Sequence, residues 1–372
     1  MPPAVAAFTD TYLPTVNGVT YTIKCWRDRW RDRGGRMDIV YPHSEYDPGP
    51  GEFPVRSAAF PFYEGYRVGS PSVPDEVTDV DVVHAHTAFS LGLGALRLAR
   101  DRDVPLVATY HTPTSKYTDY FTDIGPISNG LERLSEAYER WYLNRVDLVL
   151  APTEPTRRYL RETVGVSTPV RVLSNGVDVE RFHPVDDGPF RERYDLDGPL
   201  VGYTGRHGHE KRLRDLVEAA AHLDATVVFG GDGPAREKLE ERAAALDADV
   251  RFLGFLDREE MSAFYSALDV FAFPSPVETQ GLVAMEANAC GTPVVGADDG
   301  ALADTVEDGV TGYTYETGDI EGLARAVERA LDERTALSER CLARRDAVSI
   351  DHTVDELVGI YTEMETPPSV SR

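Results

Sequence analysis

The sequence is poor in cysteine, and its three cysteines lie far apart. Cys25, Cys290 and Cys341 are odd in number and lack the short spacing of metal ligands, which argues against a disulfide framework or a zinc cluster. Disulfides are typical of oxidising compartments and rare in the cytoplasm. The cysteine content therefore predicts a protein of the reducing cytoplasm.

Long apolar runs are also missing. No stretch approaches the roughly 18 apolar residues of a membrane span, and the N-terminus MPPAVAAFTD has neither the basic start nor the cleavage site of a signal peptide. The 31 glycines and 25 prolines among 372 residues are too few for a collagen-like or low-complexity chain. At about 100–200 residues per domain, the length predicts two globular domains.

Lysine is scarce: only 4 of the 38 basic residues are lysines, against 63 acidic residues and a net charge of −25. So negative a charge argues against a general nucleic-acid binder, which needs a basic surface. Two explanations remain open and can coexist. One is a salt-rich cytoplasm that screens self-repulsion, and the other is GC-rich codon usage, which favours arginine.

The negative charge is concentrated in the second half of the chain. Residues 1–180 carry 19 basic and 24 acidic side chains, net −5, whereas residues 181–372 carry 19 and 39, net −20. The first half is therefore the better candidate to approach an anionic partner such as a lipid surface.

Short apolar runs alternate with helical patterns, and the alternation restarts near residue 200. Runs such as VDVVHA and TVVFGG are apolar without alternation, which is typical of parallel strands covered on both faces. The pattern predicts two doubly wound, Rossmann-like α/β domains. The predicted strands begin at Val5, Met37, Asp81, Pro105, Asp147 and Val170, and at Leu200, Thr226, Val250, Val270, Pro293 and Gly312.

The domain boundary is expected in the polar, breaker-rich segment 177–198. We expect a first domain over residues 1–182 and a second over residues 183–345. Residues 346–372 are expected to form a C-terminal helix that crosses back to the first domain, followed by a frayed tail from Thr366.

The segment PSPVETQGLVAMEANACGTPVV, residues 274–295, follows a predicted strand and opens a helix behind Gly281. Backbone N–H groups at a helix N-terminus are free to bind an anion. Leu282 and Val283 are therefore candidates for holding a phosphate.

Two carboxylates flank that helix start. Glu286 lies one and a half turns into the helix, where it could accept hydrogen bonds from sugar or ribose hydroxyls. Glu278, in the preceding loop, could bind a second set of hydroxyls. The alternative is that both are ordinary solvated carboxylates, since charged side chains are mostly surface features.

The segment TGRHGHEKR, residues 204–212, follows the first strand of the second half. Arg206 and Lys211 would flank the carboxyl end of that strand, where open α/β sheets bind ligands. Two cations at this position fit a diphosphate. The alternative is surface ion pairing with acidic neighbours.

The loop TDTYLPTVNGV after the first strand contains Asn17 and Gly18. This dipeptide permits a tight turn in which the backbone approaches a ligand closely. An ordinary strand-to-helix turn is an equal alternative on this segment alone.

Three histidines follow predicted strands. His84 and His86 form an H-x-H at one strand end, but no third ligand with suitable spacing supports a metal site. Asp79 and Asp81 resemble a metal-binding D-x-D, but they precede their strand. His111 is the stronger candidate, because at a strand's carboxyl end it could donate a hydrogen bond to a sugar hydroxyl or a developing charge.

Aromatic residues suggest a second surface. Trp26 and Trp30 share one face of a basic helix, which indicates either packing on the sheet, which we favour, or a membrane surface. The aromatic stretches 60–71 and 110–121, with Arg67 and Lys116, suit an acceptor that stacks on rings or lies at a lipid interface.

Several familiar motifs are missing. No G-x-G-x-x-G follows a strand, and neither G-x-x-x-x-G-K-[ST] nor G-x-S-x-G occurs. The motifs that are present resemble glycosyltransferase family 4, retaining enzymes of the B-type two-Rossmann fold, over nearly the whole chain. The resemblance is carried by FTDTYLPTVNGV, DVVHAHTAFSLG, ATYHT, VLSNGVD, GRHGHEK and the Glu-x7-Glu element in ETQGLVAMEANACGTPVV.

The resemblance implies a role for each candidate residue. Arg206 and Lys211 would bind the diphosphate of a nucleotide sugar. Glu278 would hold sugar hydroxyls, Glu286 would hold the ribose, and His111 would lie beside the transferred sugar.

It also assigns roles to the two domains, the first binding the acceptor and the second the donor. The loop at Gly18 would approach the donor phosphate. The run His207-Gly208-His209 departs from the apolar or small polar run that members often have, which leaves the shape of this loop open.

The segments ETQGL and TYHTPTSKYTDYF are most similar to members that glycosylate membrane lipids, such as glucosyl diacylglycerol synthases and related mannosyl and sulfoquinovosyl transferases. This implies a lipid or polyprenyl acceptor, and a cytoplasmic enzyme in peripheral contact with the inner face of the membrane through its first domain. Alternatives are transfer to a soluble sugar or sugar phosphate, a nucleotide-sugar epimerase, and a non-catalytic donor-binding subunit.

The implied mechanism needs no metal and no cofactor besides the nucleotide-diphosphate sugar. The two cations and the helix N-terminus would stabilise the leaving diphosphate. The acceptor hydroxyl would attack from the same face, assisted by a phosphate oxygen, and retention is implied by the family alone. The base and sugar of the donor stay open.

Overall fold

The computed structural model describes residues 1–15, 17–59, 67–111 and 125–365, with the side chains of the last range given from residue 133 onward. Most of the aromatic stretches 60–71 and 110–121, including Lys116, and the tail from Thr366 lie outside the described residues. The chain divides into two compact units. The first is Met1–Asn175 together with the segment from Ile350, and the second is Gly176–Ser349.

The first unit contains nine described strands and, among its described residues, five helices. The strands are β1 Val5–Phe8, β2 Met37–Pro42, β3 Glu52–Val55, β4 Ser57–Ala59, β5 Arg67–Gly69, β6 Val82–Ala85, β7 Leu106–Thr109, β8 Leu148–Ala151 and β9 Val170–Val172. The helices are α1 Gly18–Asp32, α2 Ser90–Arg102, α3 Gly125–Leu143, α4 Glu154–Tyr159, which continues as a π-helical turn over Leu160–Val164, and the C-terminal helix Ile350–Glu365.

Seven of these strands form one parallel sheet in the order β3-β2-β1-β6-β7-β8-β9. Val5 of β1 pairs with Met37 on one side and with Val82 on the other. The strand order therefore reverses between β1 and β6, and a reversal point of this kind is where open α/β sheets bind ligands.

Helix α1 buries both of its tryptophans against the sheet. Trp26 and Trp30 are fully buried, and their indole N–H groups donate to the carbonyls of Asn175 at 2.8 Å and Pro3 at 3.1 Å. The packing interpretation of this helix is therefore confirmed, and the membrane-surface alternative is wrong for these two side chains.

The C-terminal helix, Ile350–Glu365, packs on α1. Ring centroids of Trp30 and Tyr361 lie 5.4 Å apart, and Val354 and Leu357 are fully buried in the same core. Ion pairs join the rims of the two helices, with Arg29 3.1 Å from Asp351 and Arg33 2.8 Å from Asp355. This helix belongs to the first unit although it follows the second in sequence.

The second unit holds a six-stranded parallel sheet in the order β12-β11-β10-β13-β14-β15. Its strands are β10 Leu200–Thr204, β11 Thr226–Gly230, β12 Val250–Gly254, β13 Val270–Phe273, β14 Val294–Ala297 and β15 Gly312–Tyr315. Its α-helices are α5 Gly188–Tyr194, α6 Leu213–Ala220, α7 Arg236–Leu246, α8 Met261–Ala267, α9 Leu282–Ala289, α10 Leu302–Thr305, α11 Ile320–Asp332 and α12 Arg334–Ala343, and the C-terminal helix of the first unit is α13.

The strand order of the second sheet reverses between β10 and β13, whose residues Val201 and Val270 are paired. The predicted pair of doubly wound Rossmann-like domains is therefore confirmed. Within the described ranges, no helix combines the length and hydropathy that crossing a bilayer requires.

Candidate functional site

The candidate site of the second unit lies at its reversal point, where the loops after β10 and β13 leave the sheet. The first loop leads to Lys211, which ends a short 3-10 turn over His209–Lys211. The second loop carries Ser275 and Glu278 before α9. Because neighbouring parallel strands end at the same edge of a sheet, these two loops are adjacent.

Lys211 and Glu278 form an ion pair between these loops. The ammonium nitrogen lies 2.5 Å from Glu278 Oε1, and the two side chains are 21% and 17% exposed. The hydroxyl of Ser275, which is fully buried, donates to the same carboxylate oxygen at 2.8 Å. Two of the predicted site residues are therefore brought into direct contact.

The loop that carries Arg206 is held by close backbone packing on the neighbouring loop. A Cβ at Gly231 would lie 2.1 Å from the carbonyl oxygen of Gly205, and one at Gly233 would lie 2.7 Å from that of His207. Both glycines also have positive φ, which L side chains rarely adopt. Only glycine fits at these two positions.

His207 explains the unusual sequence of this loop. It is fully buried, its N–H donates to the carbonyl of Asp232 at 2.8 Å, and its ring Nε2 lies 3.3 Å from the carbonyl of Gly230. Burial lowers the pKa of His207, which favours the neutral ring. His207 thus fixes the loop to the neighbouring loop through its buried contacts, while Arg206 is exposed to solvent.

Gly281 starts α9 with a backbone conformation that disfavours other residues. Its φ is +79°, and a Cβ there would lie 2.7 Å from a methyl carbon of Leu302. Leu282 and Val283 follow as the first two residues of the helix. Their N–H groups lie in the first turn, where no intrahelical acceptor exists.

Glu286 contacts a different set of side chains from Glu278. Its Oε2 accepts a hydrogen bond from the Tyr265 hydroxyl at 2.8 Å, and its Oε1 lies 3.8 Å from Arg258 Nη2. Burial raises the pKa of Glu286, while Arg258, the Tyr265 hydroxyl and Arg181 oppose the shift. Glu286 is therefore a largely desolvated acceptor with one firm hydrogen bond.

In the first unit, Gly18 begins α1 and is exposed. Asn17 caps this helix, because its side-chain oxygen accepts from the N–H of Thr20 at 2.9 Å. The Asn17 amide also donates to Thr11 Oγ1 at 2.8 Å, which ties the cap to the loop after β1. The predicted turn is thus a helix start fixed by its own cap.

His111 follows β7 and is buried beside His86, which follows β6. His111 Nε2 lies 3.0 Å from His86 Nδ1, and the ring planes are 17° apart. Burial lowers the pKa of His111 to about 3, and it lowers the pKa of His86 well below its ordinary value. His111 is thus a neutral ring held by a second histidine, a contact that the sequence analysis did not foresee.

Asp10 is a further residue that the sequence analysis missed. It follows β1 at the reversal point of the first sheet, where its buried carboxylate accepts hydrogen bonds from Thr87 Oγ1 at 2.6 Å, Ser90 Oγ at 2.7 Å and the Leu91 N–H at 3.2 Å. It therefore caps α2, and burial raises its pKa. An aspartate directly after a buried strand, in FTDTY, was the available signal.

The predicted site residues thus fall into two groups. Gly18 and His111 belong to the first unit, and the remaining candidates, on the loops after β10 and β13 and on α9, belong to the second. Among the residues that the structure describes, no three histidine, cysteine or acidic side chains are placed to share a metal ion.

Comparisons with known proteins agree with this organisation. The family model described as "Glycosyltransferase Family 4" matches residues 16–181, and the model described as "Glycosyl transferases group 1" matches residues 186–345. The first matched range ends and the second begins between residues 181 and 186, shortly after the second unit starts at Gly176.

The chain matches three curated relatives over different shares of their lengths. The chain is 31% identical to a GDP-mannose-dependent alpha-mannosyltransferase of Mycolicibacterium smegmatis, over 96% of each chain. It is 28% identical to the alpha-monoglucosyldiacylglycerol synthase of Streptococcus pneumoniae, over 92% of this chain and 81% of that one. It is 33% identical to the glycogen synthase of Mycobacterium tuberculosis over 73% of this chain, and spans only 65% of that relative's length.

A solved structure with the same architecture is the sucrose-phosphate synthase of Thermosynechococcus elongatus. Its TM-score is 0.79 over 97% of this chain and 98% of that one, at 22% identity. At this identity the likeness concerns the fold.

Proposed function

The chain belongs to glycosyltransferase family 4, and from this premise we propose that it transfers a hexose from a nucleotide-diphosphate sugar to an acceptor hydroxyl. The observation that carries the proposal is the contact between Lys211 and Glu278 at the reversal point of the second sheet. A cation that could bind a diphosphate lies beside an anion that could bind sugar hydroxyls. A nucleotide-diphosphate sugar presents these two groups on either side of the bond that breaks.

Binding of a nucleotide sugar would replace this ion pair with contacts from each side chain to the donor. In it, Lys211 and Glu278 neutralise each other at a partly exposed position. A diphosphate would draw the ammonium of Lys211 into charge-assisted hydrogen bonds. Glu278 would then accept from sugar hydroxyls, while Ser275 keeps its bond to the carboxylate and limits its movement.

The leaving group gains negative charge as the glycosidic bond to the diphosphate breaks. Lys211 and Arg206, on the loop after β10, would stabilise this charge. The first N–H groups of α9, at the positive end of the helix dipole, would donate hydrogen bonds to the diphosphate. His111, neutral because it is buried, would hold the transferred sugar by a hydrogen bond. We propose that transfer proceeds with retention, the acceptor attacking from the face that the diphosphate leaves.

We propose further that no divalent metal takes part in this chemistry, because Lys211 and Arg206 would neutralise the diphosphate in its place. Activity measured with a chelator, at constant salt, is expected to equal that in Mg²⁺ or Mn²⁺. Activity that is lost in the chelator and restored by either metal would contradict this.

The proposed acceptor is a membrane lipid, in line with the relative named as a monoglucosyldiacylglycerol synthase. A feature of α3 supports it. Leu134 and Trp141 are 66% and 39% exposed on this helix, beside the exposed Arg133, Arg140 and Arg145. Exposed apolar side chains among arginines suit the surface of an anionic bilayer.

The test is incubation of the full-length protein with a panel of nucleotide sugars and total lipid from its source organism, read by mass spectrometry. A hexosylated lipid is the expected product. A parallel reaction with soluble sugars and sugar phosphates tests the second candidate acceptor class. Hexosylation of the soluble acceptors alone would overturn the lipid proposal, and an isomerised donor without transfer would overturn the transferase.

Membrane contact is tested separately by co-sedimentation with vesicles. Binding to vesicles rich in anionic lipid, and not to neutral ones, is expected. Trp141→Ser is expected to weaken it, whereas Phe255→Ser is the matched control, because Phe255 is a 75% exposed aromatic side chain of the second unit. Equal binding to both kinds of vesicle, or none, would contradict the proposed surface.

A further inference from the structure

Glu286, the second glutamate of the Glu-x7-Glu element, is contacted by two side chains of the second unit. Its Oε2 accepts a hydrogen bond from the hydroxyl of Tyr265, on α8, at 2.8 Å. Its Oε1 lies 3.8 Å from Nη2 of Arg258, on the 3-10 turn Arg258–Glu260 that precedes α8. The Glu286 side chain is 12% exposed, so a ligand can still reach the carboxylate.

Tyr265 is held at both its ring and its backbone. The side chain is fully buried, and its ring centroid lies 6.0 Å from that of Phe182 and 5.7 Å from that of Phe271. Its carbonyl accepts a hydrogen bond from Thr292 Oγ1 at 2.6 Å. Side chains in a close-packed core sit in defined rotamers, so the hydroxyl has a fixed direction. Tyr265 therefore fixes the position of Glu286 Oε2.

The two oxygens of the Glu286 carboxylate differ in what they can still bind. Oε2 holds the Tyr265 hydroxyl, whereas Arg258 Nη2 is too far from Oε1 for a hydrogen bond. Burial raises the pKa of Glu286, but Arg258 and the Tyr265 hydroxyl oppose that rise and favour the ionised form. An ionised carboxylate is an acceptor only, and its hydrogen bonds are stronger than those of a neutral group. Oε1 is therefore suited to accept a hydrogen bond from a ligand hydroxyl.

We infer that Tyr265 is a positioning residue for donor binding: by holding Oε2 of Glu286, it directs Oε1 toward a ribose hydroxyl and so gives the second unit a preference for ribonucleotides over deoxyribonucleotides. The inference rests on the proposed function, because it takes the ligand of Glu286 to be the ribose of a nucleotide sugar. Since Tyr265 is fully buried, it acts through Glu286 and does not touch the nucleotide itself. All the side chains that carry the inference belong to the second unit.

A merely structural role for Tyr265 predicts a different outcome. If the hydroxyl only stabilised the core, its removal would weaken the binding of every nucleotide to the same extent. If the hydroxyl positions Glu286, its removal weakens the binding of ribonucleotides and spares that of nucleotides lacking the hydroxyl that Glu286 binds. The preference between the two ligands therefore separates the two roles.

The test measures the Kd of UDP, GDP and ADP, each against its 2′-deoxy and 3′-deoxy counterparts, by calorimetry on the full-length protein at constant pH and salt. We expect the wild type to bind the ribonucleotide at least about tenfold more tightly than one deoxy form, because a hydrogen bond to a charged group is lost. Tyr265→Phe should reduce this preference at least about threefold, with little change in the Kd of the deoxy form. An unchanged preference, or an equal loss for both ligands, would overturn the inference.

Tyr315→Phe is the matched control. Tyr315 is a buried tyrosine in β15 of the same unit, and no group of the described residues hydrogen-bonds its hydroxyl. Its preference for ribonucleotides should equal that of the wild type. An equal loss of preference in Tyr315→Phe and Tyr265→Phe would assign the effect to the core and overturn the inference.

A second pair of variants tests whether Tyr265 acts through Glu286. Glu286→Gln should lose most of the preference, and Tyr265→Phe introduced into Glu286→Gln should reduce it no further. A further reduction would mean that Tyr265 acts by another route, against the inference. Tyr265→Phe keeps the ring that packs in the core. If it nevertheless fails to fold, 3-fluorotyrosine at position 265 keeps ring and hydroxyl and alters the strength of the bond, and an unaltered preference there would overturn the inference.

Failure of the inference and failure of the proposed function give different results. If the wild type binds none of the three ribonucleotides, the proposed nucleotide-sugar transferase is wrong. If it binds one of them tightly but does not distinguish the deoxy forms, the proposed function stands and only the role of Tyr265 is overturned.

Discussion

Tyr265 donates its hydroxyl proton to Glu286 across 2.8 Å, and this is the firmest hydrogen bond that the structure gives the second glutamate of the Glu-x7-Glu element. Burial already raises the pKa of Glu286, and the Tyr265 hydroxyl opposes the shift. Tyr265→Phe should therefore raise that pKa further. Because the proposed function needs the ionised carboxylate, the acidic limb of the kcat/KM profile should move to higher pH.

The matched control for this prediction is Tyr41→Phe in the first unit. Tyr41 is also fully buried, and its hydroxyl has no partner among the described residues. Its removal should leave the pH profile in place. An unshifted profile in Tyr265→Phe would show that Glu286 does not titrate in the catalytic cycle.

Lys211→Ala and Glu278→Gln should each lower kcat/KM by about 30- to 1000-fold, since lost contacts to developing charge are worth roughly 2–4 kcal/mol. The same variants should change stability little, because partly exposed ion pairs contribute at most about 1 kcal/mol. Steady-state kinetics and thermal unfolding together separate the two effects.

Arg214→Ala provides the control for the loss of a cation. Arg214 pairs with Glu218 at 3.1 Å on the exposed side of α6, outside the candidate site. It should keep normal turnover. Normal turnover in a folded Lys211→Ala or Glu278→Gln variant would refute the site.

Gly231→Ala should destabilise the protein by at least about 2 kcal/mol, because the new Cβ would meet the carbonyl oxygen of Gly205 at 2.1 Å and positive φ adds backbone strain. It should also weaken donor binding, since the displaced loop carries Arg206. Gly359→Ala is the contrasting variant, because a Cβ there meets nothing within 4 Å. In the interior of α13 it should stabilise by about 1 kcal/mol.

Chemical denaturation of both variants and titration with nucleotide sugars measure these effects. A Gly231→Ala variant as stable as the wild type would mean that the two loops are less tightly packed than the distance indicates.

Acid should destabilise the first unit over a defined range of pH. Burial lowers the pKa of His84 and of His111 to about 3, whereas an unfolded histidine titrates near 6.5. The unfolded chain therefore binds more protons below pH 6.5. Stability is fully present above that pH and falls as the pH decreases toward 3, by about 1.4 kcal/mol per pH unit for each such histidine.

The slope of unfolding free energy against pH, measured between pH 6.5 and 4.5, checks this expectation. His84→Asn should reduce the slope by about 1.4 kcal/mol per pH unit, the contribution of one buried histidine. His222→Gln should leave it unchanged, because His222 is exposed. An equal reduction in both variants would contradict the assignment of the slope to buried histidines.

Much of the fold could be predicted from the sequence, because its parallel strands are buried on both faces and read as apolar runs. All twelve predicted strands begin at their predicted first residue or one residue after it. β3, Glu52–Val55, was missed because it is a four-residue edge strand that contains Pro54. Proline is tolerated at a sheet edge but weakens a strand pattern.

The identities of the site residues were easier to predict than their contacts. Lys211 and Glu278 are 67 residues apart, and only the order of β10 and β13 in the sheet brings them together. His86 and His111 meet because β6 and β7 are neighbours, a pairing that an H-x-H spacing considered alone cannot show. Contacts of this kind depend on the order of the strands, which local sequence does not encode.

The packing of α13 on α1 has a consequence for biosynthesis. Because α13 follows the second unit in sequence yet contributes to the core of the first, the face of α1 that it covers stays exposed until α13 has been synthesised. The second unit is one continuous segment and can fold as soon as it leaves the exit tunnel. During synthesis, the donor-binding half of the proposed enzyme would therefore be finished before the half that begins the chain.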